Sequence, residues 1–324
     1  MKKRSPLWAN YLLGLLLALA IPFLFTAEGG NESYRLVPYI WNIGHILLFF
    51  TGVWLALNLL EPPGSVRFLA LFVLINLVVL TLGFGIEGVQ SLLGRQSSWE
   101  DMYKNCLGAS LAIVFHPRTP PASTMLKVPL QAILVMFLLI ALYPLTINTI
   151  DWIQARSSFP ILANFESPFE IERWRGDRMG IGKSGGGNHV LQNVFLTTAY
   201  SQVTLVHFPP DWKGYDCLEF NTRNPGDDAI SLTVKISDTK HNETGREYID
   251  RFNHRINITS GRHTVQIPID KLRQAPQARE MDISQIAEIA LFTTNLSVPA
   301  TLMFDDFHLS NRPHCDVTGG TRLK

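Results

Sequence analysis

The pattern of apolar and polar positions divides the chain in two. Apolar runs fill 8–26, 39–60, 67–86, 102–116 and 130–149. Four of them are close to the roughly 20 residues that cross a bilayer core. The run at 102–116 is shorter and carries Lys104 and Asn105 near its start. All five are read as transmembrane helices. From about residue 160 the period changes to two. Ile230, Leu232, Val234 and Ile236 alternate with Ser231, Thr233, Lys235 and Ser237. Val203, Leu205 and His207 alternate with Gln202, Thr204 and Val206. This is the pattern of half-buried strands. Similar short runs recur near 189–196, 216–221, 246–258, 263–269, 287–293 and 300–309, with turn clusters such as Pro209-Pro210-Asp211 between them. Many short strands and no long helix predict a sandwich or jelly roll. The expected chain is therefore multi-domain. An α-helical transmembrane bundle of about five spans fills 1–150, a linker 151–159, an all-β sandwich 160–311 and a tail 312–324.

Charge follows the same division. Of 28 Lys/Arg and 27 Asp/Glu, residues 1–150 hold only 9 and 6, which marks that half as lipid-buried. With the N-terminus in the cytoplasm, Lys2, Lys3, Arg4, Arg67, Arg118 and Lys127 fall inside, and Arg35, Arg95 and Lys104 outside. That asymmetry is the one membrane insertion favours. The chain is then expected to be a multi-pass protein of the cell membrane, with lipid as a partner and the sandwich periplasmic or extracellular. Met-Lys-Lys-Arg before an apolar core also fits a signal peptide. Against cleavage, the core is long and Phe25 stands where a small residue is wanted. No Lys/Arg pattern fits nucleic acid. Cys106, Cys217 and Cys315 fit neither a metal knot nor a disulfide framework. Cys217 and Cys315 are expected as free thiols, pairing only if the outer domain meets an oxidising compartment.

Polar residues inside apolar spans are costly, so their placement is informative. Asn42 and His45 lie one turn apart near the outer end of the second span, and Glu87 and Gln90 one turn apart at the outer end of the third. Arg95 and Asp101 follow in the outer loop, and Asn105 begins the fourth span. Asp101, Asn105, Gly108 and Ala112 share one helical face, and the Gly108/Ala112 pair lets a neighbouring helix approach closely. The same residues fit two roles: a site, or solvated groups and interhelical glue. Glu87-Gly-Val-Gln90, then Gly94-Arg95, Ser98, Asp101, Asn105 and Gly108 resemble the signature of the VanZ-like membrane family, and Asn42-Ile-Gly-His45 resembles that family's Asp-Lys-x-x-His-Phe element. The resemblance covers about 8–116. It implies a membrane topology rather than a reaction. Asn42 stands where the family has Asp, which removes a charge.

In the outer half, Asp211-Trp212-Lys-Gly214-Tyr215-Asp216, Tyr248-Ile-Asp250-Arg251-Phe252-Asn253 and Phe304-Asp305-Asp306 resemble the galactose-binding-like jelly rolls of carbohydrate-binding modules. Sugar binding needs aromatic faces and planar polar groups. The candidates are Trp174, Trp212, Tyr215, Tyr248, Arg251, Asn253 and His254, although Trp212, Tyr215 and Phe252 equally fit core or turn packing. Such jelly rolls often hold a structural calcium ion, for which Glu166, Asp305 and Asp306 are the matching carboxylates. No other cofactor is expected. The run Gly180-Ile-Gly182-Lys183-Ser184 is not a phosphate loop, because Asp177 occupies the first glycine position and no helix follows. No catalytic triad can be assigned. The leading expectation is a non-enzymatic envelope protein whose sandwich binds a cell-wall or other glycan, or a protein partner. The alternative is a membrane enzyme or transporter acting on a lipid-linked or anionic substrate. The third is a purely structural scaffold.

Overall fold

A computed structural model of the chain describes residues 6–22, 36–60, 66–92, 99–184, 187–243, 245–312, 314–316 and 318–322. These form two compact units, one up to Thr146 and the other from Ile147 onward.

The first unit is built from helices α1 (Leu7–Ala20), α2 (Val37–Leu59), α3 (Phe68–Leu92), α4 (Trp99–Phe115) and α5 (Thr124–Ser158), the last of which runs on into the second unit. Helices α2, α3 and α5 are long and apolar enough to cross a membrane. Helix α1 is apolar but has 14 residues. The expected count of five spans therefore stands at three by length and composition among the described residues. Helix α4 departs furthest from the expectation. Its 17 residues rise about 26 Å at 1.5 Å each, short of a ~30 Å hydrocarbon core. It also carries Glu100, Asp101 and Lys104. From Asp101 to Val114 every residue except Tyr103 and Cys106 is buried. On α3, by contrast, Leu74, Leu77 and Leu82 are exposed. So α4 is an interior helix, packed against α2 and α3. Its small residues make this possible. A Cβ at Gly108 would sit 2.2 Å from the Ile46 carbonyl oxygen, so α2 and α4 touch backbone to backbone. Ala109 and Ala112 complete the contact, fully buried.

The second unit contains β1 (Ile161–Ala163), β2 (Trp174–Gly176), β3 (Met179–Lys183), β4 (His189–Phe195), β5 (Ser201–Leu205), β6 (Cys217–Asn224), β7 (Ile230–Asp238), β8 (Phe252–Ile258), β9 (Gly261–Pro268), β10 (Ile286–Thr293), β11 (Ala300–Ser310) and β12 (Thr318–Arg322). Two short helices, α6 (Thr239–Glu243) and α7 (Ile269–Arg273), join them. One antiparallel sheet runs β12-β9-β6-β11-β4-β3 with β1 added on β11, and the other runs β2-β5-β10-β7-β8. The pairs β4·β11, β5·β10, β6·β9 and β7·β8 are nested in sequence and alternate between the sheets. That nesting is the jelly-roll winding. Ile230, Leu232, Val234 and Ile236 of β7 enter the core as their alternation predicts, against Leu291, Phe304 and others. Phe220 and Phe307 stack at its centre with ring centroids 4.7 Å apart. The alternation read through His207 breaks early. Strand β5 ends at Leu205, and Val206 is buried as its N–H donates to the Arg173 carbonyl.

Two boundary expectations and one about the cysteines are corrected. Residues 151–158, expected as part of a linker, are the end of helix α5. The segment after 311 is tied in, because β12 pairs with β9. Cys217 and Cys315 form a disulfide instead of two free thiols. Cys217 opens the central strand β6, so the bond pins the C-terminal segment to the seven-stranded sheet.

The last turns of α5 belong to the sandwich unit because of one ion pair. Asp151 is fully buried and Arg173 is 2% exposed. The guanidinium donates from Nε to both carboxylate oxygens at 3.0 Å and from a terminal nitrogen at 2.8 Å, while its other end bonds the Leu162 carbonyl. Removing one partner strands a buried charge. Asp151→Ala is expected to destabilise the sandwich by about 3–5 kcal/mol, read from urea unfolding of the full chain in detergent by tryptophan fluorescence. A loss under about 1 kcal/mol, the range of an exposed pair, would show that the pair does not hold the helix end.

Candidate functional site

In the helical unit the contact at Gly108 brings α2 against the preceding turn of α4. His45 Nδ1 lies 2.9 Å from Asn105 Oδ1 and His45 Nε2 3.6 Å from Asp101 Oδ2. Lys104 Nζ lies 3.7 Å from Asp101 Oδ1 and 3.2 Å from Glu100 Oε2. His45, Asp101, Lys104 and Asn105 are all buried. Glu87 and Gln90 are buried on α3, on the same face as Gly83, whose Cβ position lies 3.3 Å from the Asn105 amide. The structure thus joins His45, Asp101 and Asn105 directly and turns Glu87 and Gln90 toward the same helix. Asn42 is half-buried and bonds to none of them. Arg95 lies outside the described residues. With Nδ1 donating to the Asn105 oxygen, His45 Nε2 is an acceptor, or a donor toward Asp101 when protonated.

On the sandwich, the seven aromatic and polar candidates separate. Trp174 and Trp212 are 3% and 0% exposed, so they are core residues and not ligand platforms. Trp212 donates its indole N–H to the Pro209 carbonyl. Tyr215 is half-buried, edge-on to Phe159 at 5.4 Å. Tyr248, Arg251, Asn253 and His254 do converge, on one open groove beside the edge strand β8.

A second groove was missed in the sequence. On β6, Leu218 and Phe220 point into the core, so Glu219, Asn221 and Arg223 point out. Register places Thr264 and Asp305 beside Asn221, and Arg262 and Met303 beside Arg223. A cavity of about 190 Å³ opens there, lined by Ser184, Asn188, Asn221, Arg223, Arg262 and Asp305 among others. Its polar side chains hold one another. Thr264 donates to Asn221 at 2.8 Å, Asn188 to Asp305 at 2.6 Å and Arg262 to Ser184 at 3.1 Å. Thr222 and His263 border the cavity but share the inward parity of Phe220 and Val265, and Thr222 Oγ1 and His263 Nδ1 are buried there without a hydrogen-bond partner. His263 Nε2 donates to the Thr259 carbonyl at 2.8 Å, which leaves Nδ1 as an acceptor.

Next to the cavity the outward row continues. Glu219 accepts from Gln266 and Ser310 and pairs with Arg312 at 3.0 Å. Burial alone would raise the Glu219 carboxyl. The hydrogen bonds from Ser310 and Gln266 and the charges of Arg312 and His308 outweigh it and hold the group below the usual range. A bulge in β11 between Asp305 and His308 puts Asp306 at φ 54°, a conformation aspartate tolerates better than most residues. It lets Phe304 and Phe307 both face inward.

The three carboxylates considered for calcium do not form a cage. Asp305 accepts from the Asp306 N–H at 2.8 Å and from Asn188, Asp306 faces His308 at 3.4 Å, and Glu166 accepts from the His189 N–H at 3.2 Å. Calcium requires six to eight oxygens. Among the described residues no three His, Cys, Asp or Glu side chains are grouped to hold a metal.

No family model matches the chain, and no curated protein matches it. The likeness of 8–116 to the VanZ-like family therefore rests on the residues quoted for it. Among solved structures the chain is similar to an exo-beta-agarase over 48% of its length, at 18% identity and TM-score 0.40, and the match spans 25% of that enzyme. It is similar to a family 11 carbohydrate-binding module from Clostridium thermocellum in complex with a beta-1,3-1,4-mixed-linked tetrasaccharide, at 16% identity and TM-score 0.37, over 47% of this chain and 94% of that one. A module specific for non-crystalline cellulose matches at 10% identity and TM-score 0.34, over 46% and 92%.

Asp305 makes the sheet-face groove pH-dependent. Burial pushes its carboxyl up to about 6; the neighbouring charges of Asp306 and Glu166 add to this, against the hydrogen bonds from the Asp306 N–H and Asn188. The folded chain therefore holds this proton more tightly than the unfolded chain, whose group titrates near 3.8. The stabilisation is present below that value and is lost as pH rises through about 6. His308, raised chiefly by its hydrogen bond to Asp306, contributes the same sign of slope at higher pH, above its ordinary 6.5. Asp305→Asn is expected to flatten the fall in melting temperature between pH 4 and pH 6, measured by scanning calorimetry. An unchanged slope would remove Asp305 as its source.

Proposed function

We propose that this chain is a membrane-anchored glycan-binding protein of the cell envelope. The helices hold it in lipid, and the sandwich stands on the non-cytoplasmic side and takes a hydroxyl-rich sugar in the groove over β6, β9 and β11. The observation that carries this reading is the outward row of the groove. Register sets Arg223 beside Arg262 and Asn221 beside Thr264 and Asp305, so guanidinium, amide and carboxylate groups that suit sugar hydroxyls gather at one cavity. Arg223 is half-buried, and the bonds Thr264–Asn221, Asn188–Asp305 and Arg262–Ser184 fix the others, which lowers the ordering cost of binding.

Three features support the membrane and topology parts. Helices α2, α3 and α5 have the length and apolarity to span. Counted over the five expected spans, α4 among them, the Lys/Arg asymmetry favours a cytoplasmic N-terminus. The Cys217–Cys315 disulfide suits an oxidising compartment. The VanZ-like resemblance of 8–116 agrees with a membrane-embedded first half.

The full chain in nanodiscs is expected to bind a neutral β-linked glucose tetrasaccharide, and Arg223→Ala to weaken it about tenfold, the effect of losing one charge-assisted hydrogen bond. Titration calorimetry reads both. No heat with tetrasaccharides of several linkages would sink the site. On intact protoplasts the same labelled sugar should bind without permeabilisation; binding that appears only after lysis would reverse the topology while leaving the site.

The buried His45–Asp101–Asn105 cluster favours a second reading, in which the helical unit engages an anionic lipid-linked substrate through Lys104 and His45. Native mass spectrometry of the purified chain should then show a retained anionic lipid that the Lys104→Gln variant loses. Equal retention by the variant would leave the cluster as interhelical glue.

A further inference from the structure

The groove beside β8 differs in chemistry from the sheet-face cavity. Its volume is about 480 Å³ and it is lined by Tyr248, Ile249, Arg251, Asn253, His254 and Lys271 with their neighbours. Tyr248 and Ile249 are 65% and 47% exposed, so an aromatic ring and an aliphatic side chain lie open to solvent. The Arg251 guanidinium sits over the Tyr248 ring, 5.2 Å from its centroid. The Tyr248 carbonyl accepts from Asn253 Nδ2 at 3.2 Å, which fixes the amide. That bond leaves Asn253 Oδ1 as the free end, and it and Arg251 Nε are buried with no hydrogen-bond partner. Lys271 adds a second cation.

Among the described residues, no carboxylate lines the groove. Asp250, next to Arg251 in the chain, is turned away. It takes two bonds from Arg279, at 2.7 and 2.9 Å, and faces His241 at 3.4 Å. Asp270, beside Lys271, faces Arg273. Two cations therefore meet in a pocket with an aromatic floor and no internal counter-charge. His254 is held toward its neutral form by burial, so it offers a hydrogen bond rather than further charge.

We propose that this groove is a second, separate site, and that it takes an anionic sugar, a uronic acid residue of a glycan. The pyranose C–H face packs on Tyr248 and Ile249. The carboxylate meets Arg251 and Lys271, and a ring hydroxyl donates to Asn253 Oδ1. A neutral sugar would gain the stacking but leave both cations unanswered. A free carboxylate or phosphate would gain the charge but not the ring. The volume fits a site for a small ligand, within the few hundred Å³ such sites occupy.

The test uses the full chain in nanodiscs of zwitterionic lipid, titrated with tri-galacturonate. Binding is expected, weakened about tenfold by Arg251→Gln and by a similar factor by Tyr248→Ala, with Arg251→Lys in between. Raising salt from 0.05 to 0.5 M should weaken it severalfold. Excess cellotetraose should not displace it. The proposal fails if the wild type does not bind tri-galacturonate, if neither Arg251→Gln nor Tyr248→Ala alters binding, or if cellotetraose competes. None of these outcomes depends on Arg223, so the sheet-face reading stands or falls on its own titration.

Discussion

A charge taken out of water must be answered inside the protein, and this constraint decides how both units are built. Asp151 is answered by Arg173, and the answer ties the last turns of helix α5 to β1 through the Leu162 carbonyl. Asp238 is fully buried. Arg279 bonds it from two nitrogens while bonding Asp250 from the same fork, and the backbone N–H groups of His241 and Asp282 supply the remaining donors. The guanidinium sits between two carboxylates and is held still more firmly charged than usual. That one fork ties the end of β7, the turn before β8 and the approach to β10 together. In the helical unit Lys104 answers Asp101 at 3.7 Å, and Asn105 meets His45 across the backbone contact at Gly108.

The same rule separates structural polar groups from candidate binding groups. Glu219 has every need met by Ser310, Gln266 and Arg312, so it braces the sheet. Lys235 pairs with Glu288, which also accepts from Ser237 at 3.0 Å. These groups have little left to offer a ligand. Buried polar atoms without a partner occur in the core too, on Trp174, Asn193 and Thr293, so they point to a ligand only where they face a groove, as Arg251 Nε and Asn253 Oδ1 do. Openness of this kind at a buried atom costs stability.

Much of the architecture was legible in the sequence, for a physical reason. The long apolar runs and the period-two runs each follow one local rule, a continuous apolar helix or a strand with one face in the core, and the alternation of β7 reads directly as one face in and one out. Part of the polar cluster of the first half was legible too, because a polar residue in an apolar run stands out: His45, Asp101 and Asn105 meet, while Asn42 bonds to none of them and Arg95 lies outside the described residues. What failed depended on distance across the fold. Nothing local in Cys217 or Cys315 announces that β6 and the C-terminal segment meet, and nothing in residues 151–159 marks Asp151 as the partner of Arg173. Helix α4 reads as a span by composition; that α2 and α3 cover its buried residues and that Lys104 pairs with Glu100 and Asp101 is held in three segments at once.

The sheet-face groove escaped for a subtler reason. Its residues Asn221, Arg223, Arg262 and Thr264 are what any outward strand position would carry, so no single strand distinguishes a binding face from a solvated one. Register makes the difference, because it sets Arg223 beside Arg262 and Asn221 beside Asp305. The bulge at Asp306 then shifts the parity of β11, so a period-two reading carried through 300–309 assigns its second half to the wrong face. Aromatic residues drew attention in the sequence because sugar rings stack on them, yet the two large indoles among those candidates, Trp174 and Trp212, are core. A jelly roll needs bulky side chains to fill the space between curved sheets, and that demand uses up tryptophan before a ligand can. The exposed Tyr248 is informative because the core has no use for it: it lies in the short turn before an edge strand, where packing imposes nothing, and Arg251 lies across its face.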